Sequence, residues 1–166
     1  MNEQDIQLVR STTHIYLHSA TTVNFNEPLE VACNLNTLGT LRVFNLTKKS
    51  PNLEVFLHIS TAYVNCNKRG FIEEKLYRLE FDAEEMLQIL TKTDPKELAK
   101  QSKQLMGSYP NSYTLTKSLT EHLLVNRREN VPLVIFRPSI IGSSYREPYP
   151  GWLVGWTLSV LLQLCI

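Results

Sequence analysis

The sequence predicts an α/β fold with a doubly wound, Rossmann-like parallel sheet, and two observations carry this prediction. Three short apolar runs lack strict polar alternation, which is typical of strands covered by helices on both faces. Stretches with helical periodicity separate these runs, and strands that alternate with such helices form right-handed β-α-β units. The three runs are "HIYLHSA" (14–20), "LEVFLHIS" (53–60) and "VPLVIFRP" (131–138).

The helices between the predicted strands have their own sequence signals. Near the start of the chain, Asn2 can cap a helix, and Asp5 three residues later makes a weak variant of a capping box. Apolar side chains then recur with helical spacing from 29 to 47 and again from 112 to 128. We therefore expect one helix before the first strand and one in each crossover.

The polar, charged segment 67–108 differs from the rest of the chain. Within it, 73–90 and 94–105 predict one or two amphipathic helices, separated at Asp94–Pro95 because proline cannot continue a helix. We interpret the segment as a helical insertion on the rim of the sheet.

Composition limits the function classes. The chain has 166 residues, of which 43% are hydrophobic and 20% charged, with a net charge of +1. This balance suits one soluble domain and offers no electrostatic surface for nucleic acid. The three cysteines are far apart and odd in number, which favours a reducing compartment. The polar, acidic start "MNEQDIQLVR" is not a secretory signal.

The last residues are unusually apolar, with no charge after Glu147. As a helix, 151–166 would span about 24 Å, whereas the hydrocarbon core of a bilayer is about 30 Å thick. A buried helix, a chain that ends within a domain and a membrane span are the three interpretations. We divide the chain into a partial domain, 1–152, and an apolar tail, 153–166.

A nucleotide-binding sheet of this class normally begins with a strand that runs into G-x-G-x-x-G. There the glycines let a pyrophosphate approach a helix N-terminus. The six glycines of this sequence form no such cluster. The sequence therefore predicts either another α/β fold or a sheet without its first β-α-β unit.

Small and hydroxyl-bearing residues follow the predicted strands, where parallel sheets carry their functional sites. Ala20 and Thr21 follow the first strand, Ser60 and Thr61 the second, and Arg137 and Pro138 the third. Small residues suit a planar cofactor, and hydroxyls suit a carbonyl oxygen. Ser60 and Thr61 could equally be turn residues. Arg137 could equally be a buried arginine bonded to backbone carbonyls.

Tyr113 and Lys117 lie four residues apart on the helix before the third strand, so their side chains share a face. An ammonium about 5 Å from a phenol favours phenolate by about 3 kcal/mol. Tyr113 could then exchange a proton with a substrate oxygen. The alternative is an ordinary surface pair. His18 and His58 are interpreted as core histidines, and no His or Cys spacing fits zinc.

Five segments resemble, in order and spacing, the reductase domain of the fatty acyl-CoA reductases, which are extended short-chain dehydrogenases/reductases. The resemblance covers most of 3–152. It implies NADPH-dependent reduction of a long-chain acyl-CoA to an aldehyde and then to a primary alcohol. The segments are "HSATTVNF", "NLNTLGT", "HISTAYVNCN", "YPNSYTLTKSLTEHLL" and "FRPSIIGSSYREPYPGW".

The resemblance also implies roles for single residues. Tyr113 is the implied proton donor, and Lys117 is implied to lower its pKa and to bind the nicotinamide ribose. Thr61 is implied to hold the carbonyl oxygen, with Ser60 as the alternative. The residues implied to line the cofactor are Ala20, Thr21, Asn36, Lys117, Pro138, Ser139 and Ile140.

The sequence departs from this family at both ends. The glycine-rich turn and the strand that selects the adenosine ribose are missing, and the family pattern stops after Trp152. We therefore expect a middle portion of a longer reductase that binds NADPH weakly by itself. The alternatives are another extended reductase, acting on a nucleotide sugar or a sterol, and a non-catalytic fragment. The resemblance also implies an intracellular location, cytoplasmic or at peroxisomal or reticulum membranes.

Overall fold

The computed structural model describes residues 1–153, and these contain a three-stranded parallel sheet in the order β1-β2-β3. The strands are β1 (Ile15–His18), β2 (Val55–Ile59) and β3 (Leu133–Phe136), one within each predicted apolar run. The register pairs Ile15 with Val55 and Phe56 with Leu133. The predicted parallel sheet is confirmed. The predicted apolar tail, 153–166, lies outside the described residues except for Leu153.

Helices precede the sheet and form its crossovers. Helix α1 begins after Asn2, whose side-chain oxygen accepts a hydrogen bond from the backbone N–H of Asp5 at 2.8 Å, as the sequence predicts. The first crossover runs without a break through α2 (Leu29–Ala32), a π-helical segment (Cys33–Leu38) and α3 (Gly39–Thr47). No helix among residues 1–153 is both long and apolar enough to cross a bilayer. The helices are α1 (Glu3–Thr12), α2 (Leu29–Ala32), the π-helical segment (Cys33–Leu38), α3 (Gly39–Thr47), α4 (Ala83–Lys92), α5 (Pro95–Met106) and α6 (Ser112–Arg127).

The charged segment folds into α4 and α5, separated where the sequence predicts. Pro95 is the first residue of α5, and the Asp94 carboxylate accepts from the backbone N–H of Lys96. The prediction that helix extends over 73–90 is wrong for its first ten residues. Helix α4 begins only after Asp82, because this carboxylate caps it by accepting two backbone N–H groups.

The sheet buries only one face among residues 1–153. Tyr16 and Phe56 point into the core, whereas alternate side chains of the same sheet face outward with 47–63% of their surface exposed. The prediction of cover on both faces is therefore wrong for this part of the chain. Right-handed crossovers that step in one direction, from β1 to β2 to β3, place all their helices on the same side. The exposed side chains are Ile15, Leu17, Val134 and Phe136.

Candidate active site

Helix α6 supplies the Tyr/Lys pair and is almost entirely enclosed. Twelve of its sixteen residues are buried, including the charged Lys117 and Glu121. The helix starts at Asn111, whose side-chain oxygen accepts the backbone N–H of Thr114 at 2.9 Å. Because polar groups buried here cannot reach bulk water, each has to find a partner within the fold.

Tyr113 lies in the first turn of α6 and is 9% exposed. The ring of Phe25 packs on the Tyr113 ring, with the centroids 5.3 Å apart. Burial raises the pKa of Tyr113, and the neighbouring Thr61 hydroxyl works against that rise. The phenol is therefore protonated at neutral pH and lies beside a second hydroxyl.

Thr61 and Ser60 follow β2 directly. The Thr61 hydroxyl accepts the backbone N–H of Tyr63 at 3.2 Å and so begins a short 3₁₀ helix, Ala62–Asn65. Ser60 is also buried, and its hydroxyl has no hydrogen-bond partner among residues 1–153. Thr61 is thus both a turn residue, as one interpretation held, and a neighbour of Tyr113.

The Lys117 ammonium binds at the end of β2. Its ammonium donates to the carbonyl oxygen of Ile59 at 2.7 Å and lies 3.5 Å from Nε2 of His58. Burial lowers the pKa of Lys117 to about 8, and Glu121 opposes the shift. Lys117 is not among the groups that shift the pKa of Tyr113 in this structure, and its predicted effect on that pKa stays a prediction.

His18 and His58 form a buried imidazole pair beside Lys117. The parallel register places them side by side on β1 and β2, and their rings stack with centroids 5.6 Å apart. Burial and the charge of Lys117 lower the pKa of His58 to about 2. The interpretation as core histidines is confirmed. Their contact with each other and with Lys117 was missed, although the aligned ends of two parallel strands could have indicated it.

Asn36 joins the loop after β1 to helix α6. Its side-chain oxygen accepts from the Thr21 hydroxyl at 2.6 Å and from the backbone N–H of Thr22 at 2.9 Å. Its amide donates to the hydroxyl of Thr116 at 3.1 Å. Asn36 lies in the π-helical segment, and such segments are frequent at functional sites. The residue therefore positions the Thr21 loop against the helix that carries Tyr113.

Arg137 and Glu121 form a second contact, partly buried, that the sequence did not predict. The guanidinium donates to both Glu121 carboxylate oxygens, at 3.0 and 2.6 Å, and to the carbonyl of Lys75 at 3.0 Å. The bond to a backbone carbonyl agrees with one of the two interpretations of Arg137. A paired carboxylate and guanidinium satisfy each other's buried charge. The pair ties the start of the loop after β3 to α6.

The structure brings together only part of the predicted set. Thr61 and Tyr113 are neighbours, and the carbonyl of Pro138 accepts the backbone N–H of Ala62 at 2.9 Å. Ala20, Ser139 and Ile140 are exposed around this edge of the sheet. No group of three His, Cys, Asp or Glu side chains within residues 1–153 is placed to hold a metal ion.

Known proteins resemble most of the chain. The profile of an NAD-binding family described as "Male sterility protein" matches residues 1–166. Fatty acyl-CoA reductase 1 of Xenopus laevis is 38% identical over 92% of this chain and 30% of its own length. The human protein of that name is 37% identical, also over 92% of this chain and 30% of its own length. Fatty acyl-CoA reductase wat of Drosophila melanogaster is 36% identical over 89% of this chain and 28% of its own length. The chain thus spans about 30% of these relatives.

Solved structures support the fold. The terminal R domain of the myxalamid PKS-NRPS pathway superimposes with a TM-score of 0.58, at 19% identity, over 92% of this chain and 33% of that one. The UDP-glucuronic acid 4-epimerase of Bacillus cereus in complex with NAD gives 0.56, at 20% identity, over 86% of this chain and 37% of that one. Both likenesses agree with a Rossmann-type α/β fold.

Proposed function

Because the chain belongs to the male sterility protein family, whose relatives here are fatty acyl-CoA reductases, we propose that it serves NADPH-dependent reduction of long-chain acyl-CoA. The product is a fatty alcohol, formed by way of the aldehyde. One observation carries this proposal: a buried, protonated Tyr113 phenol beside the Thr61 hydroxyl at the carboxyl end of β2. A proton donor and a hydrogen-bond donor there suit a carbonyl oxygen that gains negative charge.

The chemistry assigned to these two side chains is the same in both reduction steps. When the thioester carbonyl is reduced, Thr61 donates a hydrogen bond to its oxygen and Tyr113 gives it a proton. The resulting adduct is a hemithioacetal. When it collapses, the C–S bond breaks, the hydroxyl proton passes to the sulfur, and CoA leaves as its thiol while the aldehyde remains. In the second step Tyr113 again protonates the oxygen as the aldehyde becomes the alcohol. Bulk solvent returns a proton to the phenol after each step.

The residues at the sheet edge fit the nicotinamide end of NADPH, which supplies the hydride for each step. The buried hydroxyl of Ser60 has no partner within residues 1–153, so it is free to bond a polar group there. The Asn36 bridge holds Thr21 beside the same edge. Lys117, Pro138, Ser139, Ile140 and Ala20 complete the proposed binding set. Residues for the pyrophosphate are not assigned, because 1–166 contain no glycine-rich turn.

Lys117 is proposed to act as a positioning and binding residue. Its ammonium holds the carbonyl of Ile59, two residues before Thr61. A cation fixed at this point is suited to a sugar hydroxyl of the cofactor. Its short bond to the strand also keeps α6 in place against β2.

The proposal is tested by Tyr113→Phe in the complete reductase. We expect NADPH oxidation that depends on a long-chain acyl-CoA, and a loss of about 100-fold or more in kcat on removal of the phenol proton. Tyr109→Phe is the matched control, since Tyr109 is another buried tyrosine and its hydroxyl bonds Ser118 at 2.9 Å, away from Thr61. Equal activity of Tyr113→Phe and wild type would disprove the assignment.

A substrate comparison separates the proposed function from the other reductase class. Long-chain acyl-CoA, a nucleotide sugar and a sterol are offered to the same protein with NADPH or NADH. We expect turnover of the acyl-CoA with NADPH. Turnover of the nucleotide sugar or the sterol alone would assign the protein to another substrate class.

A further inference from the structure

One face of helix α6 carries three residues directed at the carboxyl edge of the sheet. Tyr113, Lys117 and Glu121 follow one another at intervals of four residues, so they share this face. Tyr113 lies beside Thr61, and the Lys117 ammonium binds the carbonyl of Ile59. The proposed function uses these two residues and leaves the buried Glu121 without a role.

Glu121 binds the arginine that follows β3. Its carboxylate accepts from Nε of Arg137 at 3.0 Å and from Nη2 at 2.6 Å, so the contact is bidentate. The third guanidinium nitrogen, Nη1, donates to the carbonyl of Lys75 at 3.0 Å. Because the guanidinium is planar and rigid, these bonds fix the orientation of Arg137 as well as its position.

Stability alone is a weak reason for this pair. The side chain of Glu121 is 1% exposed and that of Arg137 is 20% exposed, so both charges are largely removed from water. Apolar side chains of similar volume often stabilise a fold as well as such a pair does, because they carry no desolvation cost. Apolar side chains make no directed bonds, however. The pair therefore differs from an apolar replacement in what it can orient.

The backbone around Arg137 is bonded to the backbone around Thr61. Two N–H groups, one on each side of Thr61, donate to two carbonyls, one on each side of Arg137, at 2.7 and 2.9 Å. These bonds continue the parallel ladder of β2 and β3 into the loops that follow the strands. A group that fixes Arg137 therefore also fixes the turn that presents the Thr61 hydroxyl. The bonds run from Ser60 to Phe136 and from Ala62 to Pro138.

We propose that Arg137 and Glu121 are positioning residues, which fix Thr61 relative to the phenol of the proposed proton donor. Glu121 holds Arg137 against α6, and the ladder bonds transmit the position of Arg137 to Thr61. Catalysis requires both hydroxyls at one carbonyl oxygen, and a misplacement of about 1 Å can cost about 100-fold in rate. The consequence for catalysis rests on the proposed function, whereas the effect on the turn does not.

Amide hydrogen exchange, resolved by NMR in the 166-residue chain, tests the effect on the turn. Arg137→Lys keeps the positive charge and loses the planar fork. We expect the amides of Ser60 and Ala62 to exchange at least about fivefold faster relative to that of Phe56, because local opening becomes easier. Phe56 is the reference, since its N–H donates to Pro132 at 2.8 Å at the other end of the ladder. An unchanged ratio would overturn the proposal.

Arg127→Lys is the matched control. Arg127 also lies on α6, and its guanidinium donates to both carboxylate oxygens of Glu84, so the same pair geometry occurs on the same helix. This pair joins α6 to α4, about 21 Å along the helix axis from Tyr113. We expect Arg127→Lys to keep the wild-type exchange ratio and kcat. Equal acceleration in both variants would show a general loss of stability and overturn the proposal.

Kinetics of the complete reductase tests the consequence for catalysis. For Arg137→Lys we expect kcat to fall about tenfold and the KM for a long-chain acyl-CoA to change by less than about threefold, because orientation is lost and binding is kept. A loss confined to KM would overturn the proposal. Faster exchange without a loss of kcat would do so too, since the pair would then order the turn without serving the reaction.

A second variant keeps the test decisive if Arg137→Lys does not fold. Glu121→Leu combined with Arg137→Met removes both charges at similar volume and leaves no single buried charge. The exchange ratio should rise in this double variant as well, and a wild-type ratio would overturn the proposal.

Exchange involves no turnover, so the two proposals can fail separately. Faster exchange together with an active Tyr113→Phe enzyme would remove the proposed mechanism and leave the positioning of the turn intact. Unchanged exchange together with an inactive Tyr113→Phe enzyme would do the reverse.

Discussion

The two faces of the sheet differ in what covers them and in the chemistry they carry. On the inner face, Phe56 contacts Phe44 edge to face with ring centroids 5.1 Å apart, and the imidazole pair lies against Lys117. On the outer face, Leu17 and Phe136 are apolar yet more than half exposed. Both faces carry large apolar side chains, and the hand of the crossovers decides which face becomes core. Among residues 1–153, the groups with the largest pKa changes are Cys33, His58 and Lys117, and all three are buried.

The largest expected difference between the faces is in stability. Phe56 is fully buried, so Phe56→Ala should lower the free energy of unfolding by about 3–5 kcal/mol. Phe136→Ala removes the same atoms from the outer face and should cost less than about 1 kcal/mol. Urea denaturation followed by circular dichroism measures both. Equal losses would mean that the outer face is also packed.

The imidazole pair should make the fold sensitive to acid. Burial lowers the pKa of His58 from 6.5 to about 2, so below pH 6.5 the unfolded chain binds a proton that the folded chain does not. Stability should therefore fall as pH falls, and His58 alone should account for about 2 kcal/mol between pH 7 and pH 5. Denaturation of wild type and His58→Leu at both values measures this contribution.

The change in the free energy of unfolding between pH 7 and pH 5 is measured for wild type and for His58→Leu, and the second value is subtracted from the first. At pH 7 the imidazole is neutral in the folded state and mostly neutral in the unfolded state, so the effect of the substitution there reports mainly the lost contacts of the ring. The remaining change at pH 5 reports the proton. An identical pH dependence in wild type and variant would show that the unfolded and folded states protonate His58 equally.

The smallest expected effect concerns Lys117. Burial lowers its pKa from 10.5 to about 8, so between these values the unfolded chain binds more protons and stability rises with pH. Between pH 7 and pH 9 wild type should gain about 1 kcal/mol relative to Lys117→Met. Thermal or urea unfolding at the two values measures the gain. A variant that follows the wild-type pH profile would show that Lys117 keeps an ordinary pKa when folded.

Local signals in the sequence were sufficient for most of the elements. Asn2, Asp94 and Pro95 mark helix starts that the structure confirms, because a cap depends on a side chain and its own next three residues. The predicted start of the next helix, at 73, is wrong. Apolar residues recur with helical spacing over 73–82, but α4 begins only after its capping residue Asp82.

Local sequence signals could not predict which groups bind each other at the site. The four-residue spacing of Tyr113 and Lys117 correctly placed both on one helix, but it could reveal neither that this helix is buried nor which acceptor Lys117 would bind. That acceptor is the Ile59 carbonyl, 58 residues away in the chain. Glu121 and Arg137 likewise meet only because α6 and β3 are folded together, and their charges are enclosed by other elements.

The sequence by itself determined the strands, the crossover helices, the caps of α1 and α5, the hydroxyl residues after the strands and the position of Tyr113 on a helix, because these depend on local backbone preference and hydrophobic period. Tertiary structure alone decided which face of the sheet is covered, where the Lys117 ammonium is held and how His18 and His58 meet. The physical reason is that burial and charge pairing depend on every element packed around a group, whereas a spacing records only its neighbours along the chain.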